Sequence, residues 1–425
     1  MPLENRMGRD CVFVGLLGCL TPLFAQADFI NDRQISLGLR NFYLDRDFHQ
    51  TDAPKSRVGS WTQGFDFKAA SGYTEGPVQF ALDLYGQYAY RLDGGGGRGP
   101  DSVIPYDDSR GEPVQDYGRA AFAAKVRYSK TELKLGEHRP TLPVAYYDDT
   151  RQLVTTFNGV SIESKDIDKW TLTAGCFNQI SSRESSDREK MYLFNGPDIK
   201  RRSDGLSFAG ATYALTPQLS ATYFYGQLED IYQQQYFGLS HDLDLGGGYA
   251  LKSDLRYFDN QEDGKALYGK IDNRSYGLMT ALKKGGHTFG VAYQRMLGES
   301  GFPTINGYAP QPYLVNWSVV SYVKPNESSW SVSYDYNFAA MGIPGLKFKT
   351  RYFRGTGIDR GNNALDQSVE SERWLGLGYV VQDGTFKNLG VEWRRYDVKT
   401  RYGNGNTAGP DYTETRLITT YVFKF

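Results

Sequence analysis

The chain ends in Tyr421-Val422-Phe423-Lys424-Phe425, and this ending belongs to a longer stretch in which apolar and polar side chains alternate. Every second residue back from the end is aromatic or mainly apolar, and the residues between them carry the charges of Lys424 and Arg416. Side chains alternate between the two faces of a strand, so the pattern predicts a strand with one apolar and one charged face. Such a last strand is typical of an outer-membrane barrel, where it pairs with the first strand. The alternative is an edge strand of a soluble β domain.

The N-terminus predicts export from the cytoplasm. Two arginines precede the apolar residues 11–20, and Ala25-Gln26-Ala27 follows as a small-x-small cleavage site. This order is that of a signal peptide over residues 1–27, with a mature protein that begins near Asp28. The apolar run is too short to span a membrane as a helix, which needs ~20 residues. A lipoprotein cleavage box at Leu16-Leu17-Gly18-Cys19 is a less favoured alternative.

The composition narrows the class of protein. Mean hydropathy is -0.53, which argues against a helical membrane protein, yet the chain holds 32 Tyr and 24 Phe. A barrel accounts for both facts, because its lumen is polar and aromatic residues form belts at the two membrane interfaces. The net charge of -1 gives no sign of a nucleic-acid partner.

Short turn signals recur along the mature chain, with room between successive turns for two strands and one longer polar segment. They lie at residues 74–77, 129–131, 166–168, 216–217, 246–248, 284–286, 343–345 and 382–384. Short turns on one side and long loops on the other predict a transmembrane, antiparallel, up-and-down β-barrel of about 18 strands. We expect it to be a single domain over residues 28–425. A two-sheet sandwich would not explain the asymmetry of the loops.

Two long connections are more apolar than exposed loops usually are. Residues 138–157 include Tyr146 and Tyr147, and residues 296–328 include Trp317 and several other apolar side chains. Loops of this length and composition usually fold back and bury themselves. In a wide barrel the space available is the lumen, so we predict that both are constriction loops.

Alternation along the strands also predicts which charges face the lumen. Because their sequence neighbours are apolar and would face lipid, the following cations face inward: Arg40, Lys349, Arg351, Arg394 and Arg416. The first and last strands are neighbours in a closed barrel, so these residues would form one arc of the wall; Lys125 and Arg127 would face inward on another arc. A row of cations in a narrow aqueous pore favours anions whatever the net charge, and arginine can hold both oxygens of a carboxylate. The alternative is that these charges only hydrate the wall.

Several stretches from the first strand to the last resemble one known family. They include Leu37-Gly38-Leu39-Arg40-Asn41-Phe42-Tyr43, Pro140-Thr141-Leu142-Pro143-Val144, Gly342-Ile343-Pro344-Gly345-Leu346 and Tyr379-Val380-Val381-Gln382. They are similar to the OprD family of outer-membrane carboxylate channels. The resemblance implies an integral outer-membrane barrel of 18 strands, monomeric or packed as a homotrimer, in contact with membrane lipid and lipopolysaccharide. It also implies that the third and seventh loops, here residues 138–157 and 296–328, fold inward. The implied substrates are small carboxylates, without a cofactor or a metal.

The resemblance further implies the position of the constriction. Asp149 and Arg151 of the third loop would lie at the narrowest point, and we assign Tyr146 and Tyr147 of the same loop to it as well. The seventh loop would contribute Glu299 but few other acids. Relatives that take basic amino acids use acidic groups there to hold the amine, so this scarcity favours aromatic or cyclic monocarboxylates.

Members of the family carry a row of inward-facing cations, the basic ladder, that guides carboxylates through the pore. This chain matches the ladder with one departure. By the resemblance Arg40, Arg394 and Arg416 fall on ladder positions, whereas Glu392 stands where members with a fuller ladder carry another arginine. This substitution would weaken or redirect the path of an anion.

Two other functions compete with a carboxylate channel. A general diffusion porin would share the fold and the compartment and would differ only at the constriction. A barrel hydrolase would need a Ser–His or Asp–His pair; the four histidines are His49, His138, His241 and His287, and none lies in a recognisable catalytic motif. The sequence therefore predicts a channel and no enzymatic activity.

Overall fold

The computed structural model describes residues 26–50, 53–194, 198, 200–307, 311–359, 368–402 and 410–425. Most of the predicted signal peptide lies outside these ranges, and the described part begins with a short helix, Gln26–Asn31. Within these ranges no helix is both long and apolar enough to cross a membrane.

The predicted barrel is confirmed: eighteen antiparallel strands form one closed sheet. They are β1 (Gln34–Phe48), β2 (Arg57–Ala70), β3 (Val78–Asp93), β4 (Asp116–Tyr128), β5 (Thr131–His138), β6 (Thr156–Ser164), β7 (Trp170–Ser181), β8 (Leu206–Ala214), β9 (Leu219–Leu228), β10 (Tyr232–Gly246), β11 (Tyr249–Glu262), β12 (Asp272–Lys284), β13 (His287–Leu297), β14 (Ser328–Asn337), β15 (Leu346–Thr356), β16 (Val369–Val380), β17 (Gly390–Arg401) and β18 (Asp411–Lys424). Two short hairpins lie in loops, and a 3-10 helix, Phe338–Met341, precedes β15.

The last strand closes the barrel, as its sequence predicts. β18 pairs with β1 from Ser36 opposite Lys424 to Phe48 opposite Tyr412. Beyond the last pair, the Phe425 amide donates to the Ile35 carbonyl oxygen at 3.0 Å. Closure removes the unpaired edges that an open sheet would expose to lipid.

The two ends of the barrel differ in the length of their connections. All eight predicted short turns join strands at one end, and one of the shortest, Gly246–Gly248, uses three glycines with positive φ angles of 76°, 60° and 79°. The longest connections, residues 94–115, 139–155, 182–205 and 298–327, lie at the other end. The asymmetry is not complete, because only residues 229–231 join β9 to β10 at the long-loop end.

The wall alternates between an apolar outer face and a mixed inner face. On β12, Tyr276 and Leu278 are exposed, whereas Asn273 and Ser275, at the alternate positions just before them, are buried. Not all inward-facing side chains are polar. Phe42 on β1 belongs to a cluster of buried apolar residues that joins the wall to two loops. Its other wall residues are Leu44, Ala89, Tyr117 and Ile418, and its loop residues are Val103, Ile104 and Leu153. The wall is therefore apolar where a loop packs against it.

Arg40 anchors residues 139–155 to the inner face of β1. Its Nη1 donates to the carbonyl oxygens of Asp149 at 2.7 Å and Arg151 at 2.5 Å. In turn, Gln152 Nε2 donates a hydrogen bond to the Arg40 carbonyl oxygen at 2.9 Å. A Cβ on Gly64 of the neighbouring strand would lie 2.1 Å from the Gln152 amide nitrogen, so the glycine makes room for this contact.

A buried ion pair joins the same loop to the connection between β7 and β8. Asp148 Oδ2 lies 2.5 Å from Nη1 of Arg183, and both side chains are almost fully buried. The other Asp148 oxygen accepts a hydrogen bond from the Thr150 amide at 2.7 Å. Breaking a buried pair leaves one charge uncompensated, so this contact fixes the loop's path firmly.

Residues 298–327 are held by a second set of contacts. Phe302 and Leu314 belong to a large cluster of buried apolar residues that includes inward-facing side chains of β9 to β11. Glu372 on β16 accepts a hydrogen bond from the Val320 amide at 3.0 Å. The Glu327 carboxylate accepts from the Lys324 amide at 3.1 Å and lies close to the carboxyl group of Glu370.

Replacing Arg40 by glutamine should loosen residues 139–155. The variant loses two hydrogen bonds from a charged donor, each of which contributes about 1.5–3 kcal/mol. We expect amide hydrogen exchange at residues 147–153 to accelerate by about tenfold or more, since ~1.4 kcal/mol corresponds to a factor of ten. Arg127→Gln removes an inward cation that does not contact this loop and serves as the control. Unchanged exchange in the Arg40 variant would show that the anchor is dispensable.

The docking of residues 298–327 should depend on pH through Glu327. Burial, together with the neighbouring Glu370, raises the pKa of Glu327 from 4.5 to about 8. The docked loop therefore binds the proton more tightly than a free loop would, so docking is most favourable below pH 4.5 and weakens until about pH 8. Hydrogen exchange at residues 311–327, corrected for its intrinsic pH dependence, should accelerate over this range in the wild type and much less in Glu327→Gln. An equal response of both proteins would contradict the assignment.

Candidate functional site

A cavity of about 780 Å³ lies inside the barrel, between the strands from β11 through β18 to β1 and the inner surfaces of the long loops. Its walls hold far more cations than acids. The cations are Arg46, Arg151, Arg183, Arg256, Lys349, Arg351, Arg394 and Arg416, and the acids are Asp335 and Glu392. The field in this part of the lumen is therefore positive, although the chain as a whole carries a charge of -1.

Two of the predicted ladder residues face each other directly. Arg394 on β17 is paired in register with Arg416 on β18. Like charges in such a pair repel, and each arginine has a carboxylate two residues away on its own strand. Arg394 Nη2 donates to Glu392 Oε2 at 2.6 Å, and Arg416 Nε donates to Glu414 Oε1 at 2.6 Å. Glu392 thus partly neutralises Arg394 while it holds the guanidinium in place.

Lys349 and Arg351 line the same cavity from β15. Arg351 Nη2 lies 3.5 Å from Asp335 Oδ2, and its guanidinium carbon stands 5.1 Å from the centre of the Trp374 ring. Stacking on an aromatic face orients a guanidinium without using its hydrogen-bond donors. Arg351 is also partly exposed to the cavity, so it can bind a passing anion.

Arg46 and Glu414 belong to the site but were not predicted. Glu414 is fully buried and accepts from Arg46 Nε at 2.8 Å as well as from Arg416. Arg46 is six residues after Arg40 on the same strand, so alternation along β1 would have indicated that it faces inward. Because the Glu414 carboxylate lies between the two arginines and offsets their repulsion, both cations can stay close together while buried.

Arg151 lies beside this group, at the edge of the third loop. Its Nη1 donates to the Thr150 carbonyl oxygen at 3.2 Å, and its side chain is buried. Burial and the nearby Arg416 and Arg183 lower the pKa of the Arg151 guanidinium to about 9, which leaves it cationic at neutral pH.

The other residues predicted for the constriction lie in different surroundings. The Tyr146 and Tyr147 rings are parallel with centres 5.5 Å apart, and Tyr146 meets the edge of Tyr313 at 6.2 Å, so these rings join the two inner loops. The Asp149 side chain is exposed, and only its carbonyl oxygen contacts Arg40. Glu299 is not brought to the cavity.

The position of Glu299 corrects its assignment to the constriction. Its carboxylate lies 2.9 Å from Lys270 Nζ, and 73% of its side chain is exposed. Arg40 also differs from its expected place, because it faces inward but contacts the loop rather than the cavity. The buried acid next to Arg151 is Asp148, which the sequence did not distinguish from Asp149.

Arg256 and Arg183 are further cations of the cavity that were not predicted. Arg256 on β11 donates from Nη1 to the Pro312 carbonyl oxygen at 2.9 Å, which ties the seventh loop to the wall. Because it lies between the outward-facing Leu255 and Tyr257, alternation along β11 would have predicted that Arg256 faces inward. Arg183 lies in a loop, where no period reveals direction.

Part of the cavity lining, between Arg256 on β11 and Lys349 on β15, is apolar. Met279 and Ala281 on β12 and Ala292 on β13 line it, together with Leu314 and Trp317 of the seventh loop. The cavity thus offers two neighbouring arcs, a cationic one and an apolar one, with Arg256 on β11 at the far edge of the apolar arc. A small solute with a carboxylate at one end and a hydrocarbon body would be matched by both arcs.

His138 does not lie in a catalytic arrangement. His138 Nε2 lies 3.0 Å from Ser161 Oγ, but its Nδ1 contacts the Gly136 carbonyl oxygen rather than a carboxylate. Its ring also packs on Phe177, which indicates a structural role. Among the residues that the structure describes, no three His, Cys, Asp or Glu side chains are grouped in a way that could hold a metal ion.

Comparison with known proteins agrees with this architecture. Residues 27–425 match the family described as outer membrane porin, OprD family. The porin-like protein GalP of Pseudomonas putida is 39% identical over 407 residues, which cover 95% of each protein. A BenF-like porin from Pseudomonas fluorescens has a TM-score of 0.88 with 37% identity, and OpdK from Pseudomonas aeruginosa, crystallised with vanillate, has 0.86 with 33%. In both structural comparisons the match covers 93% of this chain and 100% of the other.

A closed barrel of eighteen strands, loops packed inside the wall and similarity over nearly the whole length together identify the class of protein. Proteins of this class are integral to the outer membrane and let small solutes pass. The chain belongs to the OprD family of outer membrane porins.

Proposed function

We propose that this porin is a selective channel for small carboxylate-bearing solutes and that it favours aromatic or cyclic monocarboxylates over basic amino acids. The observation that carries the proposal is the charge of the cavity, whose lining holds eight cations and two carboxylates. A carboxylate entering the lumen would exchange water for arginine donors, which bind its two oxygens in a matching geometry.

The arrangement of the cations suits transport rather than tight capture. Lys349 and Arg351 follow one another on β15, and Arg394 and Arg416 stand side by side on β17 and β18. A ligand could pass from one cation to the next without leaving the positive field. Conduction requires binding that is favourable enough for entry and weak enough for release, and a series of partly neutralised cations meets this requirement.

The acids of the cavity support the preference against basic amino acids. A substrate ammonium group needs a free carboxylate, but Glu392 is hydrogen-bonded to Arg394 and Asp335 lies within ion-pair distance of Arg351. Neither acid is therefore free to hold an amine without giving up an arginine. The apolar arc with Met279 would instead contact a hydrocarbon ring.

The similarity to OpdK supports the same substrate class. That protein was crystallised with vanillate, an aromatic monocarboxylate. In the present channel a ring could lie against the apolar arc while its carboxylate faces Arg351 and Arg394.

Neutralising three ladder cations tests the proposal. We expect the Lys349→Gln, Arg351→Gln, Arg394→Gln variant to lose most of its anion selectivity, with the uptake of benzoate into proteoliposomes falling by about fivefold or more because the local field is removed. Reversal potentials in a salt gradient give the selectivity, and uptake of benzoate and lysine gives the preference.

A matched control removes the same charge elsewhere on the inner wall. Lys68→Gln, Lys125→Gln, Arg127→Gln neutralises three cations of β2 and β4 that do not line the cavity, and it should change benzoate uptake by less than about twofold, since screening limits each charge to roughly 8 Å. Equal losses in both variants would argue for a general diffusion porin with a weakly positive lumen. Faster uptake of lysine than of benzoate by the wild type would overturn the proposed preference.

A further inference from the structure

A group of outward-facing arginines lies on one side of the barrel. Near the long-loop end, six arginines face outward on strands between β12 and β17, and five remain when Arg401, the last residue of β17, is set aside. They are Arg274 on β12, Arg295 on β13, Arg354 on β15, Arg373 on β16 and Arg395 on β17, and we name them the arginine strip. The register places Arg295 opposite Tyr276, Arg354 opposite Trp330 and Arg373 opposite Tyr352. These partners share the lipid-facing side, so the arginines lie on the outside of the barrel.

The strip lies just above an aromatic belt. Four of its arginines stand two residues nearer to the long-loop end than an outward-facing aromatic residue of the same strand: Tyr276, Tyr293, Tyr352 and Trp393. Aromatic belts mark the membrane interface, so the strip lies at the level of the lipid headgroups. An arginine at the bilayer centre of such a barrel costs about 2–4 kcal/mol, but near the interface the cost falls to about 0–1 kcal/mol.

The charges of the strip are only partly balanced by protein acids. Arg373 and Arg395 share Asp397, at 2.6 Å and 3.2 Å, and Arg274 lies 3.9 Å from Asp272. Within the described residues, neither Arg295 nor Arg354 forms an ion pair with a carboxylate. The side chain of Arg373 is 61% exposed and that of Arg395 is 43% exposed, so donors remain accessible from outside.

Strands β6 to β10 have no such strip. The outward-facing positions near the long-loop ends of β6 to β10 hold uncharged polar residues: Asn158, Gln179, Ser207, Gln227 and Gln235. The arginine strip is therefore a feature of one sector and is absent from β6 to β10.

We infer that the arginine strip binds the phosphate groups of an anionic glycolipid in the outer leaflet of the membrane. The planar guanidinium groups can each donate two hydrogen bonds to one phosphate. Neighbouring strands are ~5 Å apart, so several arginines can reach one headgroup that carries two phosphates. The aromatic belt below the strip then packs against the start of the acyl chains. This assignment concerns the outer wall and does not depend on which solute the lumen carries.

The test compares lipid binding by two variants of the full-length protein in detergent. The strip variant carries Arg354→Gln, Arg373→Gln and Arg395→Gln, and the control carries Lys165→Gln, Lys284→Gln and Lys387→Gln, three exposed cations at the short-turn end. Titration with bisphosphorylated lipid A, followed by native mass spectrometry, gives an apparent Kd. We expect at least about a tenfold increase in Kd for the strip variant and less than about a twofold increase for the control, because phosphate contacts are charge-assisted.

Further arms identify the ligand. Dephosphorylated lipid A should bind the wild type as weakly as it binds the strip variant, and inorganic phosphate should not displace lipid A. Arg354→Gln alone breaks no ion pair within the described residues and should weaken binding by about threefold. It serves as the test if the triple variant does not fold. Wild-type affinity in either strip variant, equal binding of dephosphorylated lipid A, or displacement by inorganic phosphate would overturn the assignment. A change of oligomeric state with unchanged lipid affinity, measured by light scattering, would also overturn it and would make the strip a contact between copies.

Discussion

The pairing of β1 with β18 is the constraint on which the rest of this structure depends. A strand that crosses hydrocarbon must have every backbone N–H and C=O bonded to another strand, because lipid offers no partner. The register from Ser36 opposite Lys424 to Phe48 opposite Tyr412 completes the last of these ladders. In the closed barrel, successive side chains of each strand alternate between an outer set, which faces lipid, and an inner set, which faces the lumen. Within the hydrocarbon layer the membrane holds the outer set apolar, so the chemistry that acts on a passing solute lies in the inner set and in the loops that contact it.

The lumen is shaped by a balance between packing and charge. Where the loops pack on the wall, inward positions are apolar, as at Phe42 and Leu44. Where they leave space, the wall is basic, and the repulsion between Arg394 and Arg416 is offset by carboxylates two residues away. Those carboxylates lower the local positive charge, but they also fix the guanidinium groups in defined positions. The channel therefore combines a moderate field with ordered donors.

The barrel itself could be predicted from the sequence, because its signals are local. Alternation and turn chemistry repeat every few residues, and they yielded the strand number, the eight short turns and the closing strand. Alternation also gave the inward direction of Arg40, Arg351 and Arg394, but direction does not specify a partner. Arg40 points inward and still lies outside the cavity, since residues 139–155 fold onto it.

The loops were less predictable for a physical reason. A loop has no side-chain period, and its path is decided by contacts with residues far away in sequence. The pair of Asp148 with Arg183 and the bond from Arg256 to Pro312 are contacts of this kind. For that reason we assigned Asp149, instead of its buried neighbour, to the constriction. We also assigned Glu299 to it, whereas Glu299 pairs with Lys270 at the exposed rim.

The central claim is that the basic cavity makes the channel selective for carboxylates. The most direct test is a single-channel recording of the wild-type protein in a planar bilayer, with a salt gradient and increasing benzoate on one side. The account predicts a reversal potential of the sign expected for anions and a small-ion current that falls saturably as benzoate binds in the cavity. A cation-selective reversal potential, or a current that benzoate does not reduce at any concentration, would contradict it.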